Sequence, residues 1–501
     1  MDSRAATEEA TSSDPQLVSI ACSLPTIRVR PSQFNARTVA KDGTLLLFNS
    51  FSGAFSGLPP HARAKAEALL HREGCMIEQT GLAKYMLDRG FLVPDSTNEL
   101  NKFRMMRGFQ HYRSDRMELI LLASEECNFR CVYCYETYSR GTMEPWVCKA
   151  VVALAERRIK QLRTLHAGWF GGEPLLGLEA IREIAPRLQA LAQENGVEYN
   201  SNMTTNGFLL TQEVLVELLS YGVRHFQISI DGSPADHDCK RGLKGGGSSF
   251  KTIYDNLKAA HSLTEQFTIL IRINFDNDNL PRVQGFLDML KEDFSGDSRF
   301  ELLFYPVGQW GGVNDERLNV CGSTKYLSKQ ALAKTATTMG LKPQAHLPQM
   351  QGQAGAGVCY AARPHNLLIG ADGKIMKCTV ALDQEDYNVV GHLKPDGVPD
   401  IDTDKFTRWV TPYFEDDDAC KKCFYLPVCQ GCSCPKTRFN SGARPCPDEK
   451  RKIVFTLNSL WEARQPTANQ YRVGQAGSAV QIENTEEFRD QTLGGVSSIK
   501  M

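Results

Sequence analysis

Alternation of strands and helices between residues 115 and 340 places the strongest constraint on how this chain can fold. Apolar, strand-like segments occur at 117–123, 166–170, 198–204, 225–230, 267–275 and 300–307. Segments with helical periodicity lie between and after them, at 146–163, 178–195, 211–221, 249–263, 280–293 and 324–339. Six such βα repeats predict an α/β domain, either a parallel sheet or a partial barrel. In these folds the chemistry takes place at the carboxyl ends of the strands.

Sixteen cysteines in a chain of 501 residues are the second constraint. The first residues are polar and acidic rather than basic and then apolar, so they do not have the layout of a signal peptide. No run of about 18 apolar residues occurs, and we therefore expect a cytoplasmic protein without a membrane partner. Because that compartment disfavours disulfides, clustered cysteines favour ligation of metal or iron–sulfur clusters. The net charge of −1 gives no general attraction to nucleic acid.

The first cysteine group, Cys127, Cys131 and Cys134, directly follows the first strand of the alternating region. Three thiolates can hold three irons of a four-iron cluster and leave the fourth iron open to an exchangeable ligand. The amino and carboxylate groups of S-adenosylmethionine (SAM) suit that open iron, and reduction of its sulfonium yields a 5′-deoxyadenosyl radical. The alternative is a zinc site, but structural zinc takes four protein ligands and no fourth Cys or His is close by.

The segment CNFRCVYCYE resembles the signature of the radical SAM family, and segments that resemble other motifs of that family follow in the same order. The resemblance implies that Tyr133 lies near the adenine of the cofactor. After the second strand, GGEP resembles the glycine-rich segment that receives the cofactor's amino group, and glycine lets backbone approach a ligand closely. These implied cofactor-binding residues are Gly171, Gly172, Glu173 and Pro174.

Two further motifs, SIDG at the end of the fourth strand and the later HDCKR, also resemble family motifs. By that resemblance Ser229 and Arg241 bind the carboxylate of the cofactor, for which a guanidinium fork is suited. For His237 we expect a structural role rather than a catalytic one. Asn274, in IRIN on the fifth strand, is expected near the ribose or adenine. The sequence identifies no catalytic base.

A second concentration of cysteines, in residues 355–460, resembles the SPASM extension with its two auxiliary four-iron clusters. The resemblance gives one cluster Cys359, Cys378 and a later cysteine, and gives the other Cys420, Cys423, Cys429 and Cys446. The later cysteine departs from the family spacing, because Ser433 occupies its position. We prefer Cys434, whose following proline fits the family pattern, with Cys432 as the alternative. A zinc ribbon-like site is the competing interpretation of this region.

In the N-terminal module, residues 17–105, the sequence pattern predicts hairpin strands around Asp42-Gly43 and Ser52-Gly53. Helices are predicted after them, near 60–72 and 79–89. This winged-helix-like pattern resembles the peptide-recognition element of peptide-modifying enzymes, which binds a leader peptide by strand addition. No dense cluster of Lys and Arg marks it for DNA. A purely structural cap is the alternative.

Together the motifs predict a disordered tail at 1–16, the N-terminal module, a radical SAM partial (β/α)6 barrel at 115–340, a SPASM twin-cluster domain at 355–460 and a flexible tail at 465–501. The expected enzyme cleaves SAM and modifies a ribosomally made precursor peptide, forming a thioether or carbon–carbon crosslink. Its expected partners are the leader-bearing precursor and an electron donor such as flavodoxin or ferredoxin. The alternatives are an anaerobic sulfatase-maturating enzyme and a non-catalytic iron–sulfur protein.

Overall fold

A computed structural model describes residues 26–72, 74–138, 140–344, 358–431 and 433–464 of the chain. The two predicted tails lie outside these ranges, as do Cys22 and Cys432. Within the ranges, no helix combines the length and the apolar character needed to cross a lipid bilayer.

The N-terminal part contains two small sheets and three helices. Its elements are β1 (Thr26–Pro31), β2 (Asn35–Val39), β3 (Leu45–Asn49), β4 (Phe55–Leu58), α1 (Pro60–His71), β5 (Cys75–Glu78), α2 (Gly81–Asp88), β6 (Leu92–Pro94) and α3 (Glu99–His111). The predicted turns are present between β2, β3 and β4, where Gly43 and Gly53 adopt positive φ angles of 84° and 72°. The predicted helices correspond to α1 and α2. The second sheet, in the order β5-β1-β6, was not predicted, because β5 and β6 have only four and three residues.

The N-terminal sheets share one core with their helices and also contact the distant C-terminal segment. On one side, Val29, Leu47, Ile77 and Met86 are buried together. On the other side, Phe48 packs in a second cluster whose remaining members include Tyr425, Val428 and Leu457. The Arg104 guanidinium adds an ion pair with Glu415 at 2.7 Å. The module is therefore attached to the cysteine-rich region near the end of the chain.

The central region confirms the predicted alternation. Its elements are β7 (Arg116–Ser124), α4 (Pro145–Arg158), β8 (Thr164–Gly171), α5 (Leu178–Glu194), β9 (Glu198–Thr205), α6 (Gln212–Ser220), β10 (Val223–Ser229), α7 (Pro234–Lys240), α8 (Phe250–His261), β11 (Thr268–Phe275), α9 (Val283–Phe294), β12 (Phe300–Pro306) and α10 (Lys325–Thr338). Six parallel strands lie in the order β12-β11-β10-β9-β8-β7. The short α7, whose second half overlaps HDCKR, was not predicted.

Alternate strand residues divide the six-stranded sheet into two faces. Side chains such as Leu121, Ala167 and Ile271 are buried in the main core with residues of the helices. The residues between them point to the opposite side, which we call the inner face. Because the strands are parallel, their carboxyl ends and the motifs that follow them meet at one edge.

The C-terminal region extends the same sheet, which the sequence analysis did not predict. Its elements are β13 (Asn366–Ile369), β14 (Lys374–Met376), α11 (Glu385–Asn388), β15 (Val389–Leu393), β16 (Pro399–Ile401), α12 (Thr403–Val410), α13 (Asp418–Lys421), α14 (Leu426–Cys429), α15 (Pro435–Ser441), α16 (Asp448–Arg451) and α17 (Ile453–Arg464). The strand β13 pairs parallel to β7, and β14, β15 and β16 continue antiparallel, giving ten strands. Ile369, Ile375 and Trp409 belong to the main core.

Candidate active site

The loop that carries the first three cysteines follows β7 and is fastened to the segment after α7. The backbone N–H of Arg130 donates to Gly242 O at 2.8 Å, and that of Val132 donates to Lys240 O at 2.9 Å. The N–H of Lys244 donates back to Asn128 O at 2.7 Å. These bonds bring the cysteine motif and the HDCKR motif, far apart in sequence, into direct contact.

The three thiols of this loop face one another in a poorly solvated environment. Burial raises the pKa of Cys127 to about 12 and that of Cys131 to about 11, and it also raises the pKa of Cys134. The charge of Cys131 contributes to the raised pKa of Cys127, and the charge of Cys134 contributes to the raised pKa of Cys131. The three thiols therefore lie close together. The Arg241 cation opposes the rise at Cys131. Without a metal these thiols are protonated, and binding of a metal or cluster would displace their protons.

The glycines of GGEP hold the cysteine loop at close range. A Cβ atom on Gly171 would lie 2.0 Å from Ser124 O, and one on Gly172 would lie 2.5 Å from Glu126 O. The N–H groups of Gly172 and Glu173 donate to these same two oxygens, at 3.0 and 2.8 Å. Because these two glycines have no side chains, the end of β8 can approach the backbone of the cysteine loop. The sequence analysis had predicted close approach to the cofactor at these glycines, and not to the loop.

Glu173, which was predicted among the cofactor-binding residues, is fully buried and bonded within the protein. Its carboxylate accepts hydrogen bonds from Thr205 Oγ1 and the Asn206 N–H, both at 2.7 Å, and from the Leu175 N–H at 3.0 Å. It thus joins the end of β8 to the end of β9. Pro174, the next residue, is also buried.

A buried polar network lies beside the cysteine loop, where β10 and β11 end. The hydroxyl of Tyr133 donates to Asp231 Oδ2 and accepts from Arg241 Nη1 at 2.8 Å. The Asn274 amide donates to Tyr133 Oη at 3.1 Å and to Asp231 Oδ1 at 2.9 Å. Burial raises the pKa of Tyr133 well above its ordinary value, and Asp231 adds to that effect. The Tyr133 hydroxyl thus contacts Arg241, Asn274 and Asp231. Asp231 was quoted in SIDG but assigned no role.

Arg241 retains an unused donor. Its Nε is buried and has no hydrogen-bond partner among the residues that the structure describes. Its burial lowers the guanidinium pKa, but Cys131, Tyr133 and Asp231 outweigh this and raise it. A buried donor without a partner indicates room for an acceptor that is not part of the protein. The SAM carboxylate, proposed from the motif, has the chemistry that this donor requires.

The remaining predicted residues of this region have distinct placements. Ser229 is partly exposed at the end of β10, in register with Arg272 of β11. His237 is fully buried, with its Nδ1 accepting from the Asp231 N–H at 3.3 Å and its Nε2 lying 3.0 Å from Ser249 Oγ. These contacts join the end of β10 to the start of α8, which agrees with the structural role predicted for His237. Cys239, within the same HDCKR motif, is exposed on the short α7.

The cysteines of the C-terminal region form two separate sets. In the first, the charges of Cys378 and Cys434 raise the pKa of Cys359, although burial has the largest effect and brings it to about 12. In the second, one cavity is lined by Cys420, Cys423, Cys429 and Cys446, together with Arg438, Arg444 and Lys450. The Lys450 ammonium donates to Cys446 Sγ at 3.4 Å. Grouped thiols with neighbouring cations fit clusters whose ligands carry negative charge.

The described part of the chain contains no three His, Cys, Asp or Glu side chains grouped tightly enough for a single metal ion. A cubane cluster is wider than one ion and its ligands stand further apart, so the cysteine sets are compatible with clusters in this respect. The sets coincide with those that the sequence motifs delimit, apart from Cys432, which lies outside the described ranges.

Comparison with known proteins defines the class to which this site belongs. Residues 121–290 match the sequence profile of the Radical SAM superfamily, and the chain contains a radical SAM domain. The chain spans about two fifths of the length of the first curated relatives it matches. One of these, Fe-coproporphyrin III synthase of Methanosarcina barkeri, is 24% identical over 34% of this chain and 40% of its own length.

A longer similarity links the chain to a more particular group of proteins. The cysteine-type anaerobic sulfatase-maturating enzyme of Clostridium perfringens strain 13 is 23% identical over 68% of this chain and 92% of its own length. The solved structure of native anSMEcpe with bound AdoMet and Cp18Cys peptide has a TM-score of 0.52 and 18% identity, covering 70% of this chain and 99% of its own. That structural similarity establishes a shared fold.

Proposed function

We propose that this protein is a radical SAM enzyme that modifies a ribosomally synthesised precursor peptide, forming a thioether or carbon–carbon crosslink. The observation that carries the proposal is the contact between the loop of Cys127, Cys131 and Cys134 and the buried network around Arg241. Both lie at the carboxyl ends of the parallel strands, where α/β enzymes place their chemistry. A four-iron cluster with bound SAM would supply a 5′-deoxyadenosyl radical that removes a hydrogen atom from the peptide.

The residues of the network would bind and orient the cofactor. Arg241 offers its unpaired Nε to the carboxylate, with Ser229 as a second donor on the same strand end. Tyr133 would lie against the adenine, its hydroxyl fixed by Asp231 and Asn274. The backbone at Gly171, Gly172, Glu173 and Pro174 would limit the space for the amino group. Because the network is largely buried, it would also exclude water from a reactive radical.

The two C-terminal cysteine sets would hold auxiliary clusters. The first would use Cys359, Cys378 and Cys434, and the second Cys420, Cys423, Cys429 and Cys446. Positive charge from Arg438, Arg444 and Lys450 beside the second set favours the bound, negatively charged form. In this role the clusters accept an electron from the substrate or hold it, and a flavodoxin or ferredoxin would supply electrons to the radical SAM cluster.

The N-terminal module would bind the leader of the precursor by strand addition. β5 is an edge strand, since within its sheet it pairs only with β1. Its Met76 side chain is 61% exposed and offers an apolar contact next to the free edge. An extended peptide can add main-chain hydrogen bonds at such an edge.

Maturation of a sulfatase is the second candidate function. The specific observation in its favour is the alignment with the C. perfringens enzyme over 92% of that enzyme's length. The N-terminal module favours the precursor peptide instead, because a leader-binding element has no use when the target is a sulfatase chain.

Anaerobic reconstitution tests the proposal. The purified chain is incubated with SAM, dithionite and either a co-expressed precursor peptide from a neighbouring gene or a cysteine-containing sulfatase peptide, and products are followed by mass spectrometry. We expect 5′-deoxyadenosine and a crosslinked precursor. Formylglycine in the sulfatase peptide alone would select the second candidate, and no 5′-deoxyadenosine with either would refute both. The variant with Cys127, Cys131 and Cys134 changed to alanine is the matched inactive control.

A further inference from the structure

Arg272 lies on the inner face of the sheet, close to the candidate active site. In β11 the residues Ile269, Ile271 and Ile273 are fully buried against the helices, so Arg272 and Asn274 point to the other side. Its Nε donates to Asn274 Oδ1 at 2.8 Å. Through Asn274 the guanidinium is connected to the network around Tyr133 and Asp231.

The guanidinium of Arg272 is held in place but is not neutralised. It lies over the ring of Tyr305 on β12, with 3.9 Å between its Cζ atom and the ring centroid. Among residues of the described ranges, no carboxylate comes within ion-pair distance of Arg272. The stacking on Tyr305 and the hydrogen bond from Nε leave the two terminal nitrogens of the guanidinium able to donate hydrogen bonds to an anion.

A second cation lies on the same side. Lys329, on α10, is half-buried and also makes no ion pair within the described part of the chain. Burial lowers its pKa, and the nearby charge of Arg272 acts in the same direction. Glu449, whose effect on this pKa is larger than that of Arg272, and Asp448 act in the opposite direction. Arg272 and Lys329 are therefore neighbouring cations, and their combined positive charge favours binding of an anion.

We propose that Arg272, supported by Lys329, binds a carboxylate of the peptide substrate, so that the substrate carries an Asp, a Glu or its own C-terminus beside the modified residue. This inference rests on the proposed function, whose substrate it defines more closely. The planar fork forms two parallel hydrogen bonds to a carboxylate, which fixes both position and orientation. Tyr305 and Asn274 keep the guanidinium in the required plane.

The carboxylate of SAM is the competing occupant, and the geometry disfavours it. Ser229 and Arg241, the residues proposed for that group, belong to β10 and the segment after it. The Arg272 guanidinium stacks on Tyr305 of β12, which lies on the opposite side of β11. The guanidinium carbon therefore lies toward β12, the strand at the edge of the sheet, and not toward β10.

The test uses synthetic probe peptides and the full-length, cluster-loaded protein. Short N-acetylated peptides contain a cysteine with Asp, Asn, Glu or Gln beside it and end in an amide. A second series has neutral side chains and a free C-terminal carboxylate. Anaerobic equilibrium dialysis measures their binding to the wild type, Arg272→Gln, Arg272→Lys and a control, Arg224→Gln. Arg224 lies at the other end of the adjacent β10 and is exposed, bonded only to Gln266 O.

We expect the wild type and Arg224→Gln to bind carboxylate peptides at least about tenfold more tightly than their neutral counterparts. Arg272→Gln should lose this preference, and Arg272→Lys should keep part of it. A preference confined to the second series would assign the site to a peptide C-terminus. Equal binding of charged and neutral peptides by the wild type, or an unchanged preference in Arg272→Gln, would overturn the proposal.

Formation of 5′-deoxyadenosine without peptide separates this inference from the proposed function. The control Arg224→Gln should retain it at the wild-type rate. A loss of SAM affinity in Arg272→Gln would assign Arg272 to the cofactor and overturn the inference. Peptide binding does not require turnover, so a wild type that forms no 5′-deoxyadenosine would refute the proposed function while the carboxylate preference is still measured.

Discussion

Substitution of Gly172 by alanine should displace the cysteine loop and weaken cluster binding at that loop only. The new Cβ atom would lie 2.5 Å from Glu126 O, 2.7 Å from Glu126 C and 2.9 Å from Glu125 O. All three are backbone atoms, so no flexible side chain can move aside. Overpacking of this kind costs about 1–3 kcal/mol. If the cluster-bound loop bears that strain, affinity for the cluster falls by about 5- to 150-fold.

The assay is electron paramagnetic resonance of the dithionite-reduced protein, together with the rate at which iron is lost to a chelator. SAM is proposed to bind beside Arg241 at the cluster of this loop, so the SAM-sensitive part of the spectrum reports on this loop. We expect that part to decrease in Gly172→Ala while the rest of the iron is retained. Gly242→Ala is the matched control in the segment that faces the loop, because its Cβ would meet nothing closer than Asp238 O at 3.9 Å. A full SAM-sensitive signal and unchanged iron loss in Gly172→Ala would refute the reasoning.

Three further predictions concern other parts of the molecule. Cys434→Ala should lower the iron content, measured by mass spectrometry of the metal, and leave the SAM-sensitive signal unchanged. Equal iron content in this variant and the wild type would favour Cys432 as the ligand. The pKa of buried His237 is lowered to about 4 by burial and by Arg241; since the unfolded chain takes up this proton near pH 6.5, stability worth about 3 kcal/mol is present above pH 6.5 and is lost as pH falls toward 4. His237→Gln should therefore show a smaller drop in melting temperature between pH 7 and 5 than the wild type, and equal drops would contradict this. Glu99, 6% exposed, accepts hydrogen bonds from Arg30 at 2.9 Å and from the Gln33 N–H at 3.0 Å, so Glu99→Gln should destabilise the N-terminal module by about 3–5 kcal/mol, detectable as earlier proteolysis of that module.

The sequence was sufficient to predict the six central strands and six of the helices beside them because strand-like and helical segments alternate regularly along this region. It was insufficient where elements are short. β13 has four residues, and only its parallel pairing with β7 reveals that the C-terminal region continues the central sheet. β5 and β6 were missed for the same reason. Pairing of short strands depends on partners that are distant in sequence, and local periodicity contains no information about them.

Among the site residues, the types were predictable and several of the roles were not. Glu173 was assigned to the cofactor, but three hydrogen bonds show it joining two strand ends. Asp231 was visible in SIDG without an assigned role. Arg272 could have been found from the sequence. In IRIN the two isoleucines alternate with Arg272 and Asn274, and Asn274 was already expected near the cofactor. Alternation specifies the face of a strand, but the contacts across that face require the neighbouring strands.

The order of motifs along the chain has a physical explanation in the cysteine loop. Residues 125–138 contain no helix or strand, so the loop cannot fix its own conformation. Gly172 holds it from β8, Asn206 donates to Asn128 Oδ1 at 2.7 Å from the end of β9, and Gly242 accepts from Arg130 beyond β10. Each motif that follows a strand therefore supplies one contact to the same loop. A single motif would leave the three thiols free to move apart, and this is why the motifs are diagnostic only as a set.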